Sequence, residues 1–182
     1  PLRTYDLKQL LSMSVQGLGG FIASAAGSFI AGHICGLGDR HKSNIMVYDN
    51  RALFQLDFHH IFGIKASGVD APPIAVPLEM KELLKKRQAW DSFRHQCAHA
   101  FLVLRRSMGT IMQLSRLLFA GIVPDTRIEE HLMFAFMSSK TEAEALMEIY
   151  RQIDFAASAL KVTKHIKDYA HTKKMQKTET RR

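Results

Sequence analysis

Gly38-Asp39-Arg40-His41-Lys42-Ser43-Asn44-Ile45-Met46-Val47-Tyr48, followed after Asp49-Asn50-Arg51-Ala52 by Leu53-Phe54-Gln55-Leu56-Asp57-Phe58, is the stretch on which the fold turns. Ile45 to Tyr48 and Leu53 to Leu56 are short β-favouring runs, and the four residues between them suit a turn, so the spacing predicts a hairpin. A hairpin brings the chain back on itself, so Asp57, thirteen positions after Asn44, is expected beside it. An amide oxygen and a carboxylate are hard donors that suit a divalent cation. Asp39 and His41, in the same hexad as Asn44, are then left to face an incoming hydroxyl. That division of labour is the one phosphoryl transfer needs.

Upstream, Phe21, Ile22, Phe29 and Ile30 flank the small residues Ser24, Ala25, Ala26 and Gly27. The pattern predicts a helix that another backbone can approach closely, stopped at Gly36-Leu37-Gly38. Leu18 to Leu37 has the length of a membrane span, but its many Gly and Ser residues and the central His33 favour a buried helix in a globular protein. Pro1 to Leu11 mixes charge with apolar residues and shows no apolar core with a small-residue cleavage site, so no signal peptide is expected.

Downstream, Gly63 to Pro77 is rich in Gly, Pro and small residues and is expected to be a loop, since Pro72, Pro73 and Pro77 deny it helical continuity. Helices are predicted over Leu78 to Ala89 and over Asp91 to Phe119. In the second, Phe93, Cys97, Ala100, Phe101, Leu104, Met108, Ile111 and Leu114 recur at helical spacing. Gly121 and Pro124 end it, and a shorter helix is expected from Ile128 to Met137. Thr141 with Glu144 forms a capping box for a last helix running toward Ala170, and a polar, basic tail follows from 171 to 182.

With 182 residues and 47% hydrophobic residues the chain can bury one substantial core. Two cysteines, Cys35 and Cys97, do not make a disulfide framework and fit a reducing, cytoplasmic setting. A net charge of +8 implies an anionic partner, whether nucleotide, lipid headgroup or nucleic acid. Basic and aromatic residues are not interleaved in a recognisable surface motif, which counts against nucleic acid.

Gly38-Asp39-Arg40-His41-Lys42-Ser43-Asn44-Ile45-Met46 resembles the Gly-Asp-Arg-His-x-x-Asn-Ile-Met catalytic loop of the phosphoinositide 3-kinases. Ser24-Ala25-Ala26-Gly27 is similar to that family's Ser-Cys-Ala-Gly helix at the same distance upstream, and Leu56-Asp57-Phe58 to its Ile-Asp-Phe-Gly. Phe101-Leu102-Val103-Leu104-Arg105-Arg106 and Gly121-Ile122-Val123-Pro124 resemble its long C-lobe helix and the exit from it. The resemblance implies a mainly α fold with a small β-hairpin, the C-terminal lobe of a protein-kinase-like phosphoinositide kinase. Residues 38–46 would be its catalytic loop, 57–77 its activation segment, 78–170 a helical bundle and 171–182 the tail. It further implies that Asn44 and Asp57 coordinate Mg2+ or Mn2+, that Asp39 and His41 serve the substrate hydroxyl, and that Arg40 supports the loop. Met46 and Leu56 would floor the adenine pocket for ATP, and His59, His60, Lys65 and Pro73 would belong to the substrate loop.

Two departures carry information. His59 stands where the family has glycine after Asp-Phe, which bears on catalytic competence and motivates a pseudokinase reading. Lys65 is the only basic residue between His59 and Pro77, so attraction to a multiply phosphorylated headgroup is weak. Phosphatidylinositol in a membrane surface is then the expected substrate, as in class III enzymes, with product on the inositol 3-hydroxyl. A phosphatidylinositol 4-kinase or a related protein serine/threonine kinase is the alternative. No segment supplies an N-lobe lysine strand or a phosphate-covering loop, so the chain by itself is expected to be inactive without its N-lobe and upstream domains. A regulatory or adaptor subunit and peripheral attachment to internal membranes, endosomes among them, follow from the same resemblance.

Other signals are weaker. His95 and His99, four apart with Cys97 between, could share a zinc, but no third ligand is nearby. His59 and His60 are adjacent and would point to opposite sides of an extended chain. Lys161, Lys164, Lys167, Lys173, Lys174, Lys177, Arg181 and Arg182 read first as a solvated basic face and second as a contact with anionic lipid.

Overall fold

The computed structural model describes residues 4–5, 17–38, 44–48, 51–64 and 74–155. Asp39, Arg40, His41, Lys65 and Pro73 lie outside the described residues, as do the Asp49-Asn50 part of the turn, the stretch from 156 toward Ala170 and the basic tail. The architecture is mainly helical, with a small antiparallel sheet packed on the first helix. In chain order the elements are β1 (Thr4–Tyr5), α1 (Leu18–Ile34), β2 (Ile45–Tyr48), β3 (Ala52–Gln55), α2 (Leu78–Lys86), α3 (Trp90–Arg106), α4 (Met108–Leu118) and α5 (Asp125–Ala135). A further helix, α6, occupies residues 142–155.

The expected hairpin is present, with Ile45 opposite Gln55 and Tyr48 opposite Ala52. The Arg51 N–H closes the turn on the Tyr48 carbonyl at 2.9 Å. Alternation puts Ile45, Val47, Leu53 and Gln55 inward, all buried, and leaves Met46, Tyr48 and Phe54 on the other face. A third strand that sequence reasoning missed, Thr4–Tyr5, pairs with β2 through Thr4 opposite Tyr48 and Tyr5 opposite Val47.

Helix α1 is the central element, buried along Phe21, Ile22, Ala25, Ala26, Phe29, Ile30 and Ile34 and packed against α3 and β3. Phe29 meets Phe93 of α3 edge-on, with ring centroids 6.2 Å apart. The close backbone approach expected along Ser24-Ala25-Ala26-Gly27 is made at Ser24, which bonds the backbone of Leu53, while Gly27 itself is exposed, with open space where a Cβ would sit. It is Gly32 that gives way to a neighbour, because a Cβ there would lie 3.0 Å from the carboxamide nitrogen of Gln55. That nitrogen donates to the Ser28 carbonyl at 3.0 Å. One turn earlier, Ser24 Oγ donates to the Leu53 carbonyl and accepts from the Leu53 N–H, both at 3.0 Å, so α1 engages the backbone of β3 directly.

The stop at Gly36 is the predicted one. Gly36 has φ +62°, its N–H bonds the His33 carbonyl at 3.1 Å, and the Leu37 N–H reaches the Gly32 carbonyl at 2.9 Å. These are the two bonds of a Schellman motif. The single helix expected over Asp91 to Phe119 is instead two helices, broken at Ser107 (φ −99°, ψ 14°). There the Ser107 N–H turns back to the Leu104 carbonyl three residues earlier. The break separates buried Phe93, Cys97 and Phe101 from α4, which buries no residue fully and leaves Leu114 half exposed. Helix α5 begins at Asp125, directly after Pro124, rather than at Ile128. The capping box is present: Glu144 Oε2 accepts from the Thr141 N–H at 2.8 Å, and Thr141 Oγ1 accepts from the Glu144 N–H at 3.3 Å.

Among the described residues no helix is long and apolar enough to cross a membrane.

Candidate active site

The hairpin does what the sequence spacing predicts for its two ends. Past the last ladder pair, the Leu56 N–H donates to the Asn44 carbonyl at 2.8 Å, extending the pairing by one residue. Asn44 and the residue just beyond Leu56, which is Asp57, therefore leave the sheet at the same end. Asn44 is buried, whereas the Asp57 side chain is 39% exposed. On the face opposite the core, Met46 sits across from Phe54 and half-buried, and Leu56 follows two residues later and is exposed. Met46, Phe54 and Leu56 are thus apolar residues near the end of the hairpin where Asn44 and Asp57 leave the sheet.

Asp57 adopts φ +59°, a left-handed conformation that Asp tolerates better than most residues. Its Oδ1 accepts from the His59 backbone N–H at 3.1 Å and from His59 Nδ1 at 2.5 Å. The imidazole that replaces the family's glycine thus engages the carboxylate on which the metal reading depends. His59 is well exposed, so the contact is free to exchange with solvent. The donor set, one amide and one carboxylate at adjoining chain positions, fits a hard divalent cation. His60 is half-buried, and its carbonyl accepts the Gly38 N–H at 2.9 Å.

That last bond belongs to a larger junction. The Phe62 N–H reaches the Cys35 carbonyl at 2.7 Å and the Gly63 N–H reaches the Gly36 carbonyl at 3.4 Å. The segment after Asp57 is thereby laid along the segment that leads into residues 39–44. Phe62 and Gly63 adopt φ +48° and +70° to do so. Phe62 is buried edge-on against Phe119, centroids 5.1 Å apart, and also contacts the ring of His131.

Sequence reasoning missed the two histidines beside this junction. His33 is buried in α1 with Nε2 3.2 Å from the Ala135 carbonyl. Burial pushes it down to about 4, against the pull of that carbonyl and with a smaller push from His131. His131 is likewise lowered by burial, with the Ile34 carbonyl opposing. A histidine in the middle of an apolar helix was the one sequence signal that pointed here.

Of the other tempting histidines, His95 has a local partner. His95 Nδ1 lies 3.0 Å from the Tyr150 hydroxyl, and its ring meets that tyrosine edge-on. Cys97, between His95 and His99 in sequence, faces the core, where burial pushes its thiol upward and keeps it protonated.

The chain matches the family model described as phosphatidylinositol 3- and 4-kinase over residues 12–128. It is 29% identical over 158 residues to phosphatidylinositol 3-kinase VPS34 of Saccharomyces cerevisiae, an alignment covering 82% of this chain and 18% of that protein. It is 34% identical over 107 residues to phosphatidylinositol 3-kinase VPS34 of Arabidopsis thaliana, covering 58% of this chain and 13% of the relative. The chain thus spans less than a fifth of the length of either relative. With a match over well more than half its residues, the chain belongs to the phosphatidylinositol 3- and 4-kinase family.

Proposed function

We propose that this chain is the C-terminal lobe of a phosphatidylinositol 3-kinase, which passes the terminal phosphoryl group of ATP to the inositol 3-hydroxyl of phosphatidylinositol. The observation that carries the reading is the Leu56 N–H bond to the Asn44 carbonyl, because it makes the amide and the carboxylate leave the sheet together. Both relatives named above are phosphatidylinositol 3-kinases, which favours the 3-hydroxyl over the 4-hydroxyl.

In this reading Asn44 and Asp57 hold Mg2+ or Mn2+. When bound, the metal offsets the negative charge of the phosphates and of the transferring group. Asp39 orients the inositol hydroxyl, His41 takes its proton, and Arg40 braces the loop. Met46 and Leu56 lie under the adenine ring, where flat apolar surface excludes water. His59, His60, Lys65 and Pro73 line the way to the headgroup, and the shortage of basic side chains there suits an inositol without further phosphates. The positive tail would rest on the anionic surface of an internal membrane, each Lys or Arg adding about 1 kcal/mol. An N-lobe completes the nucleotide site.

The test is lipid phosphorylation by this chain joined to an N-lobe, with products separated as 3-phosphate and 4-phosphate. Expected are 3-phosphate product and a loss of kcat of at least about 100-fold in Asp57→Asn, with no transfer by the 182-residue chain alone. Full activity in Asp57→Asn would refute the site. A second reading, a pseudokinase, is favoured by the His59 contact with Asp57; metal-dependent nucleotide binding that appears only in His59→Gly would support it.

A further inference from the structure

The ends of α1 and α5 are joined by two histidines that play the same part for each other's helix. His33, in the last turn of α1, lies 3.2 Å from the carbonyl of Ala135, the last residue of α5. His131 of α5 lies 3.0 Å from the carbonyl of Ile34, the last residue of α1. A carbonyl can only accept, so both rings donate from Nε2–H.

Helix ends leave carbonyls without intrahelical partners, and here the accounting closes. At the end of α1 the carbonyls of Ala31, Gly32 and His33 are taken by the N–H groups of Cys35, Leu37 and Gly36. At the end of α5 those of Leu132, Met133 and Phe134 are taken by Phe136, Ser138 and Met137. In each case the one carbonyl left over, on the final residue, is satisfied by the histidine of the other helix.

His131 also roofs the junction between the two site-bearing segments. A Cβ on Gly36 would lie 2.4 Å from its Cε1, and one on Gly63 would lie 3.4 Å from its Nδ1. Its ring packs edge-on against Phe62, centroids 6.0 Å apart. Those glycines bracket the backbone bonds that tie residues 35–38, which lead directly into Asp39, to residues 60–63, which follow Asp57.

We propose that His131 is a positioning residue for phosphoryl transfer: its bond to the Ile34 carbonyl and its cover over Gly36 and Gly63 hold residues 35–38, which lead to the catalytic loop, in register with residues 60–63, which follow Asp57. The role rests on the lipid-kinase reading. It is exerted through Gly38 and Asp57 and needs no contact with substrate.

The test uses this chain joined to an N-lobe, as wild type, His131→Gln, His131→Phe and His131→Ala. Glutamine keeps a donor near the position of Nε2, phenylalanine keeps the ring without the donor, and alanine removes both. Amide hydrogen exchange is followed in peptides covering 35–38 and 60–63, with the middle of α3 as control. Steady-state kinetics give kcat and the KM for ATP separately. Expected in the Phe and Ala variants is exchange at least about tenfold faster in the two peptides with α3 unchanged, and kcat lowered about tenfold or more at little-changed KM. His131→Gln should restore both. Should the alanine protein not fold, the contrast between Gln and Phe decides. Unchanged exchange in Phe and Ala overturns the proposal whatever the activity, and so does faster exchange with wild-type kcat. A wild-type protein that protects these amides but transfers no phosphate overturns the kinase reading, and with it the catalytic role of His131, while the helix-end contact stands.

Discussion

Replacing His33 by glutamine will flatten the acid side of the stability curve. The folded protein holds this imidazole at about 4, well below its ordinary value of 6.5, chiefly because it is buried. Between those two values the unfolded chain binds a proton that the folded one refuses. The unfolded state therefore gains on acidification, and stability falls as pH drops from 6.5 toward 4. One proton gives a slope of about 1.4 kcal/mol per pH unit, so the window costs about 3 kcal/mol, a large share of the roughly 5–15 kcal/mol that holds a domain together. Below the folded value both states are protonated and this group takes nothing more. Glutamine can still donate to the Ala135 carbonyl but does not titrate. Urea unfolding followed by the fluorescence of Trp90, which is buried and the only tryptophan, measures both proteins across this range. Carboxylates titrate in both and cancel in the difference, leaving His33 and its smaller coupling to His131. Wild type should lose about 3 kcal/mol more than His33→Gln between the two pH values; parallel curves would refute the reasoning.

Gly36→Ala should destabilise by at least about 2 kcal/mol, because it puts a side chain at φ +62° and against the His131 ring and the Gly63 backbone; thermal unfolding measures it, and a near-neutral result would refute the packing. Gln88 is exposed and sits at φ +55°, where its N–H and that of Ala89 close the end of α2 on Lys85 and Leu84. Gln88→Gly should therefore stabilise by about 0.5–1 kcal/mol in urea unfolding, against the usual cost of a new glycine. Thr141→Ala removes the cap of α6 and should cost about 1 kcal/mol, with faster amide exchange confined to the first turn of that helix.

What could be read from the chain in advance was local. Ile45–Tyr48 and the run after it are β-favouring and flank a turn, and Thr141 stands three residues before Glu144, so both hairpin and capping box carry their reasons in neighbouring residues. The stop at Gly36 was legible because glycine marks a left-handed turn. The same motif at Gln88 and Met137 was not, since both residues adopt positive φ without being glycine and are held there by their surroundings. The break at Ser107 lacks a proline. It lies two residues after Arg105, whose guanidinium reaches the carbonyls of Met137 at 3.2 Å and Lys140 at 2.5 Å, contacts more than thirty residues away that no local pattern shows. The strand at Thr4–Tyr5 is too short to show a period. At the candidate site, the chain return that bonds Leu56 to Asn44 was visible through the hairpin, whereas His131 was not, because Ile34 is 97 residues away and no pattern in either helix announces the other.

The grip of Ser24 on Leu53 bears on how this protein behaves in a crowd. β3 lies at the outside of the sheet, and a bare outer strand invites a neighbouring molecule to add itself by backbone pairing. Here a single hydroxyl from the central helix occupies both the N–H and the carbonyl of the middle of that strand. An incoming polypeptide would have to break the helix away before it could zip onto β3, so the hairpin that presents Asp57 is also protected from self-association.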